Sequence, residues 1–329
     1  MAKIGIPRTL AYFLYFPFWN AFFMELGHEV IVSPPTTKAV LDRGVEEAVN
    51  DACIPIKIYH GHVAKLIDKV DFIFSPRLVS LRKHGDFGTE TFCPKFLGLP
   101  DMIRVSMDRL PPVIDTRIDL KAGKDELLNV CKETAFFLGM TAEKVIFNAY
   151  KKALKKQEEY QKILKEGILP PLALDILEGR KKRKEIPRIE PELNIAVVGY
   201  PYVIYDPYVN VGLLKFLEQE KVKVYTQDML SNKELNGQKK YIPKSLFWYF
   251  SNRAVYGGLY YMKRKDIDGI IHVTAFACGP DSMVDRLLEI ESHRHGKPYL
   301  AVMVDEHSGE AGVRTRIEAF VDMLRYRRG

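Results

Sequence analysis

The chain is poor in cysteine, with four among 329 residues, and no two of them form a C-x-x-C pair. So few thiols exclude the disulfide framework of a small secreted protein. The missing local pair argues against structural zinc or a ferredoxin-like site, both of which use closely spaced ligands. No apolar run reaches the roughly 18 uncharged residues that span a bilayer, and no membrane partner is expected. The opening MAKIGIPRTL enters a strand-like pattern without a secretory apolar core, so the expected location is cytoplasmic. Phosphate loops are lacking too. Neither GIPRTLAYF nor GYPYVIYDP, the first loops of the two halves, carries G-x-G-x-x-G, and G-x-x-x-x-G-K-[ST] does not occur. If the activity depends on ATP, another domain or subunit hydrolyses it. No G-x-S-x-G elbow and no H-E-x-x-H is present.

The net charge of +7 is concentrated in KKALKKQ (151–157) and GRKKRKE (179–185). Neither run is interleaved with aromatic residues or set in a nucleic-acid-binding module. They read as a solvated helix face and a linker, and no nucleic-acid partner is expected.

What is there is an alternation used twice. A chain of this length exceeds one hydrophobic core, which points to two domains. KIGIPRTLAYFLYFPFWNAFFMELGHEVIVSP (3–34) and NIAVVGYPYVIYDPYVNVGLLKFLEQEKVKVYT (194–226) follow the same plan. Each runs from a short apolar strand through a loop rich in proline and tyrosine to a helix, a charged turn and a second strand. Later strands at VDFIFSPRL (70–78) and IDGIIHVTAF (267–276) each lead to a cysteine and a helical segment. Strands at PPVIDTRID (111–119) and KPYLAVMVDEHS (297–308) follow. The fold class is α/β, with two open parallel sheets covered by helices. The expected domains are 1–120, a helical segment and linker over 121–190, and 191–329 ending in a helix.

Cys53 lies in DACIPIKIYHGH, Cys93 in TETFCPK and Cys278 in FACGPDS, each with proline one or two residues downstream. Proline stiffens the backbone beside the thiol and brings no amide of its own. Lys57 and Lys95 follow the first two, and an ammonium nearby favours a thiolate. Cys131 sits at apolar spacing within a helix and reads as a packing residue. In open α/β sheets ligands bind at the carboxyl ends of the strands, which puts the Cys93 and Cys278 loops at functional edges. Three readings stay open. The cysteines hold a cluster, they are unrelated buried thiols, or one is the nucleophile of a cysteine hydrolase with a histidine from among His60, His62, His84 and His272.

The combination of motifs resembles the 2-hydroxyacyl-CoA dehydratase family, in the branch of double-cubane cluster proteins and modules associated with CoA-enzyme-activase ATPases. KIGIPRTL, the D-x-C-x-P-x-K and GH of Asp51, Cys53, Pro55, Lys57, Gly61 and His62, and F-C-P-K (92–95) carry the resemblance, together with FACGPDS (276–282) and DEHSGEAGVRTRIEAF (305–320). It spans nearly the whole chain. It implies two flavodoxin-like domains and a [4Fe-4S] cubane cluster on Cys53, Cys93 and Cys278, single or as a sulfide-linked double cubane. It also implies electrons from an ATP-dependent iron–sulfur activator, and a homodimer or a pairing with a homologous subunit. The substrate would be a small molecule or an acyl-CoA. In the dehydratases the electron makes a ketyl radical from a 2-hydroxyacyl thioester so that water can leave. On this view Lys57, Lys95 and Arg77 moderate the cluster's charge, and Glu90 and His84 are candidates for proton delivery. Asp305, Glu306 and His307 are expected at the same edge, unless Ser308 and Glu310 merely cap the last helix. A different class, a two-domain small-ligand binding protein with incidental cysteines, stands as the alternative.

Overall fold

The computed structural model describes residues 1–81, 90–186 and 190–328. Contacts divide the chain into two compact units. The first comprises Met1–Tyr160 with Phe247–Tyr249, the second Gln161–Leu246 with Phe250–Gly329.

The first unit opens with β1 (Lys3–Ile6), α1 (Tyr12–Glu25) and β2 (Glu29–Val32), then two helices, α2 (Lys38–Glu47) and α3 (Ile54–Ala64). β3 (Phe72–Phe74), β4 (Arg77–Ser80) and α4 (Pro94–Ser106) follow. The unit continues through β5 (Val113–Ile114), β6 (Arg117–Asp119) and α5 (Glu126–Phe137) into α6 (Glu143–Lys165). A parallel sheet has the order β2-β1-β3-β5, and β4 pairs with β6 in a second, two-stranded sheet. The single strand read over 70–78 is thus two, assigned to different sheets. Ser75 and Pro76 separate them, and proline cannot donate to a ladder.

α1 begins within the stretch read as a proline- and tyrosine-rich loop and carries Pro17 inside it. An internal proline costs about 3 kcal/mol. Against it stands the burial of Phe13, Phe16, Phe18, Trp19, Phe22 and Phe23, each contributing about 1.5–3 kcal/mol. Trp19 and Phe23 close over β3, with ring centroids 4.7 Å and 5.1 Å from that of Phe74.

α2 and α3 touch backbone to backbone. A Cβ on Gly44 would stand 1.8 Å from the Lys57 carbonyl oxygen, and one on Gly61 would stand 1.9 Å from that of Val40. No larger residue fits at either place. That is the physical content of the glycine in the Gly61–His62 pair.

The second unit continues from the end of α6 into α7 (Pro170–Leu177), β7 (Leu193–Gly199), α8 (Pro201–Ile204), α9 (Leu213–Gln219) and β8 (Val222–Tyr225). α10 (Asn232–Asn236), α11 (Tyr249–Met262), β9 (Gly269–Ala275), α12 (Gly279–His295), β10 (Tyr299–Val304) and α13 (Glu310–Arg328) complete it. Its sheet is parallel throughout, in the order β10-β9-β7-β8. β9 is buried along its whole length, as a strand covered on both faces must be.

The region 121–190 is therefore not a body of its own. α5 and most of α6 belong to the first unit, while the end of α6 and α7 belong to the second. The apolar stripe of α6 decides this: Tyr150 packs on Phe18, and Gln157 donates to the Leu14 carbonyl at 3.0 Å. Its lysines face outward, Lys152 to Glu25 and Lys156 to Glu159.

Candidate functional site

Each of the three cysteines is the N-cap residue of a helix with proline in its first two positions. Cys53 caps α3, Cys93 caps α4 and Cys278 caps α12. Proline suits that place because the first helical amides have no partner within the helix. The same unpaired amides give a helix N-terminus partial positive charge, which favours a thiolate. No disulfide involves any of the four cysteines.

In the first unit two of these caps come together. α3 runs back to β3 and α4 to β5, so both N-termini lie toward the carboxyl edge of the parallel sheet. The Lys95 ammonium reaches the Cys53 thiol at 3.6 Å. Burial pushes the Cys93 thiol up; the Lys95 amide and ammonium pull it down, and neighbouring Cys53 pushes it up further. One lysine thus serves two thiols, through its main chain and its side chain. Lys57, one turn beyond Cys53, is buried on α3, and its amide donates to the Cys53 carbonyl at 3.3 Å.

The other expected site residues are placed differently. Arg77 lies between Asp101 and Asp115, at 2.6 and 2.9 Å. The hydrogen bonds it donates to the Asp101 carboxylate above all hold its guanidinium far above the ordinary range. Arg104 joins the same group through Asp115 at 2.9 Å. Arg77 is therefore engaged in an ion-pair cluster that ties α4 to the strand region. Glu90 is buried, and its carbonyl accepts the Ser80 hydroxyl at 3.2 Å. His84 lies outside the described residues.

In the second unit Cys278 follows β9 directly, at the carboxyl end of a central strand. Behind it lies a charged group that the motifs did not reveal. His272, on β9, is fully buried, with Nε2 3.1 Å from Asp281 Oδ1 and Nδ1 3.2 Å from Asp285 Oδ1. The Tyr299 hydroxyl donates to Asp285 at 2.5 Å. Burial works against a charged imidazole, yet the Asp281 and Asp285 carboxylates outweigh it and push His272 up to about 9. The sequence signal for this group was two aspartates four apart in a helix, hence on one face, after a strand with a lone histidine.

The hydrolase reading needs a histidine free to act as base, and the described candidates, His60, His62 and His272, are otherwise engaged. His60 Nδ1 is bonded to the Ile56 carbonyl at 2.8 Å. His62 meets Ser33 at 2.8 Å and Thr36 at 2.9 Å through its two ring nitrogens, and burial lowers it to about 3. Cys131 is a buried residue of α5, its thiol pushed up by burial. Asp305 accepts the Ser308 hydroxyl at 2.8 Å and the His307 amide at 2.9 Å in a turn before α13.

The donor set fits an iron–sulfur cluster in its chemistry, with soft thiols on stiff, electropositive turns. Among the described residues, no three His, Cys, Asp or Glu side chains gather as a single-ion site. None of the described helices is long and apolar enough to cross a membrane.

Two family models match the chain. One, described as the CoA enzyme activase uncharacterised domain, covers residues 3–230. The other, the 2-hydroxyglutaryl-CoA dehydratase D-component, covers residues 175–324. No curated protein matches. A solved structure, the C-terminal domain of glucosamine-fructose-6-phosphate aminotransferase from Francisella tularensis, aligns over 98% of this chain and 82% of its own. At 10% identity and a TM-score of 0.23 it carries no argument.

Proposed function

Because the chain belongs to the 2-hydroxyacyl-CoA dehydratase family, we propose that it is an iron–sulfur protein whose Cys53, Cys93 and Cys278 hold a [4Fe-4S] cluster. In this reading it carries out or relays an ATP-driven reduction at very low potential. The observation that carries the proposal is the shared placement of these three thiols, and of no other, at proline-stiffened helix N-caps. When bound, such a cluster supplies one-electron chemistry and an open iron for a substrate oxygen or nitrogen.

The chain's own residues have definable parts. The three thiols ligate, and Lys95 offsets thiolate charge at Cys53 and Cys93. Electrons come from a separate ATP-dependent activator, in keeping with the missing phosphate loops. The working form is a homodimer or a pair with a homologous subunit, and the substrate is a small molecule or an acyl-CoA. The match of residues 175–324 to a dehydratase D-component favours, as the second reading, a dehydratase subunit that acts on a 2-hydroxyacyl-CoA.

The test is strictly anaerobic purification of the chain and of Cys278→Ala, with iron and sulfide measured per chain. Roughly four irons, lost or sharply reduced in the variant, is the expected result. More sulfide than iron points to the sulfide-linked pair. A reconstituted wild-type chain without iron overturns the proposal and favours a binding protein with incidental cysteines. Turnover of a 2-hydroxyacyl-CoA in the presence of an activator selects the dehydratase reading.

A further inference from the structure

Cys278 is delivered by a strained turn. Ala277 has a φ of +60°, a left-handed conformation that costs a residue with a Cβ about 1–2 kcal/mol and persists only where the surroundings impose it. Hydrogen bonds fix both sides of it. The Phe276 amide donates to the Val304 carbonyl at 2.8 Å and the Cys278 amide to that of Ala275 at 3.2 Å. The Asp281 and Ser282 amides both donate to the Cys278 carbonyl at 3.1 Å. The thiol's position therefore depends on what holds the first turn of α12.

That hold comes from the strand beneath. Both ring nitrogens of His272 face carboxylates, which only accept. A neutral imidazole has a single N–H, so the two contacts are satisfied together only by the cation. Asp281 is fully buried and its Oδ2 has no hydrogen-bond partner. A buried carboxylate is costly unless an opposite charge pairs with it. Among the described residues, the other charged or titratable groups acting around the pair include Asp285 on α12, with Arg286 acting on it, and Tyr299 on β10, with Glu289 acting on it. Val198 of β7 and Ala301 of β10, the register partners of His272, are apolar.

We propose that His272, held as a cation between Asp281 and Asp285, is the positioning residue of Cys278. It bolts the first turn of α12 to β9, keeps Ala277 in its left-handed turn and sets the field at the thiol. The consequence for a cluster rests on the reading of Cys278 as a ligand, but the placement of the thiol is measurable without one.

The experiment uses the full chain stripped of iron. Iodoacetamide alkylation of Cys278 is followed by mass spectrometry, with Cys53 of the same molecule as the internal control. His272→Gln removes the positive charge, and Asp281→Asn removes a negative one from the same contact. The expected shifts are opposite, Cys278 slowing in the first variant and quickening in the second, each by about threefold at neutral pH. A role confined to stiffening the turn moves both variants the same way, and that result, or no change relative to Cys53, overturns the proposal. Should His272→Gln fail to fold by circular dichroism, Asp285→Asn takes its place. It must then quicken Cys278 as Asp281→Asn does, and slowing or no change overturns the proposal. A wild-type chain that never takes up iron removes the cluster reading but leaves these shifts standing, so the two failures are told apart.

Discussion

The two units share a plan, a parallel sheet whose first strand lies between the second and the third, yet they prepare their cysteines in opposite ways. In the first unit the charge is brought from outside the backbone. Lys95 reaches from the first turn of α4 to the thiol that caps α3. In the second unit the charge is buried under the helix, in the His272–Asp281–Asp285 group. A fold repeated twice thus leaves the electrostatics of each edge to be set by a few side chains. The first unit gathers two thiols around a cation, while in the second the helix capped by Cys278 sets its first turn on an ion pair.

The sharpest way to break the comparison is pH. His62 in the first unit is buried neutral and lowered to about 3. Its contribution is present above its ordinary value near 6.5 and is lost as pH falls from there toward 3. His272 in the second unit is raised to about 9. Its contribution is complete below about 6.5 and is lost as pH rises through 9. Each amounts to about 3 kcal/mol or more at full extent. Hydrogen exchange at pH 5, 7 and 9 is expected to show the first unit weakening on the acid side and the second on the alkaline side. Loss of protection on the same side in both would end the contrast.

Gly61→Ala comes next. Its Cβ would collide with the Val40 carbonyl, and backbone cannot yield as a side-chain tip can. The first unit is expected to lose about 3 kcal/mol, read from its exchange protection, with the second unchanged.

Lys95→Met tests the shared cation more gently. Alkylation of Cys53 is expected to slow by about threefold relative to Cys278 in the same chain. An unchanged ratio would mean that the 3.6 Å contact does not favour the thiolate.

The smallest effect is expected at the ion pairs of Arg77. Asp101 is largely exposed, so Asp101→Asn should cost under about 1 kcal/mol in urea unfolding. A larger loss would show that this cluster, rather than the packing of α4, holds the Cys93 helix in place.

Much of this was legible beforehand. The fold class followed from strands alternating with helices. The separation of Cys53, Cys93 and Cys278 from Cys131 followed from proline spacing on one side and apolar spacing on the other. Less was legible where the reason was a contact between distant segments. Arg77 was read as a cation available to a cluster, but Asp101 and Asp115 claim it from 24 and 38 residues away. The stretch around Pro17 was read as part of a proline- and tyrosine-rich loop, because a local rule about proline cannot see Tyr15, Trp19 and Phe23 packing on Phe74 of β3.

By itself the sequence determined which residues are stiff, which are apolar and which thiols stand beside prolines, since these are properties of short stretches and their periods. Only the tertiary structure decided that the three thiols all cap helices, that Lys95 is shared by two of them, and that His272 lies clamped under α12. Those facts depend on burial and on which charges meet. Burial strips the water from His62 and His272 alike, and the partners the fold brings to each ring decide that one stays neutral while the other keeps its proton.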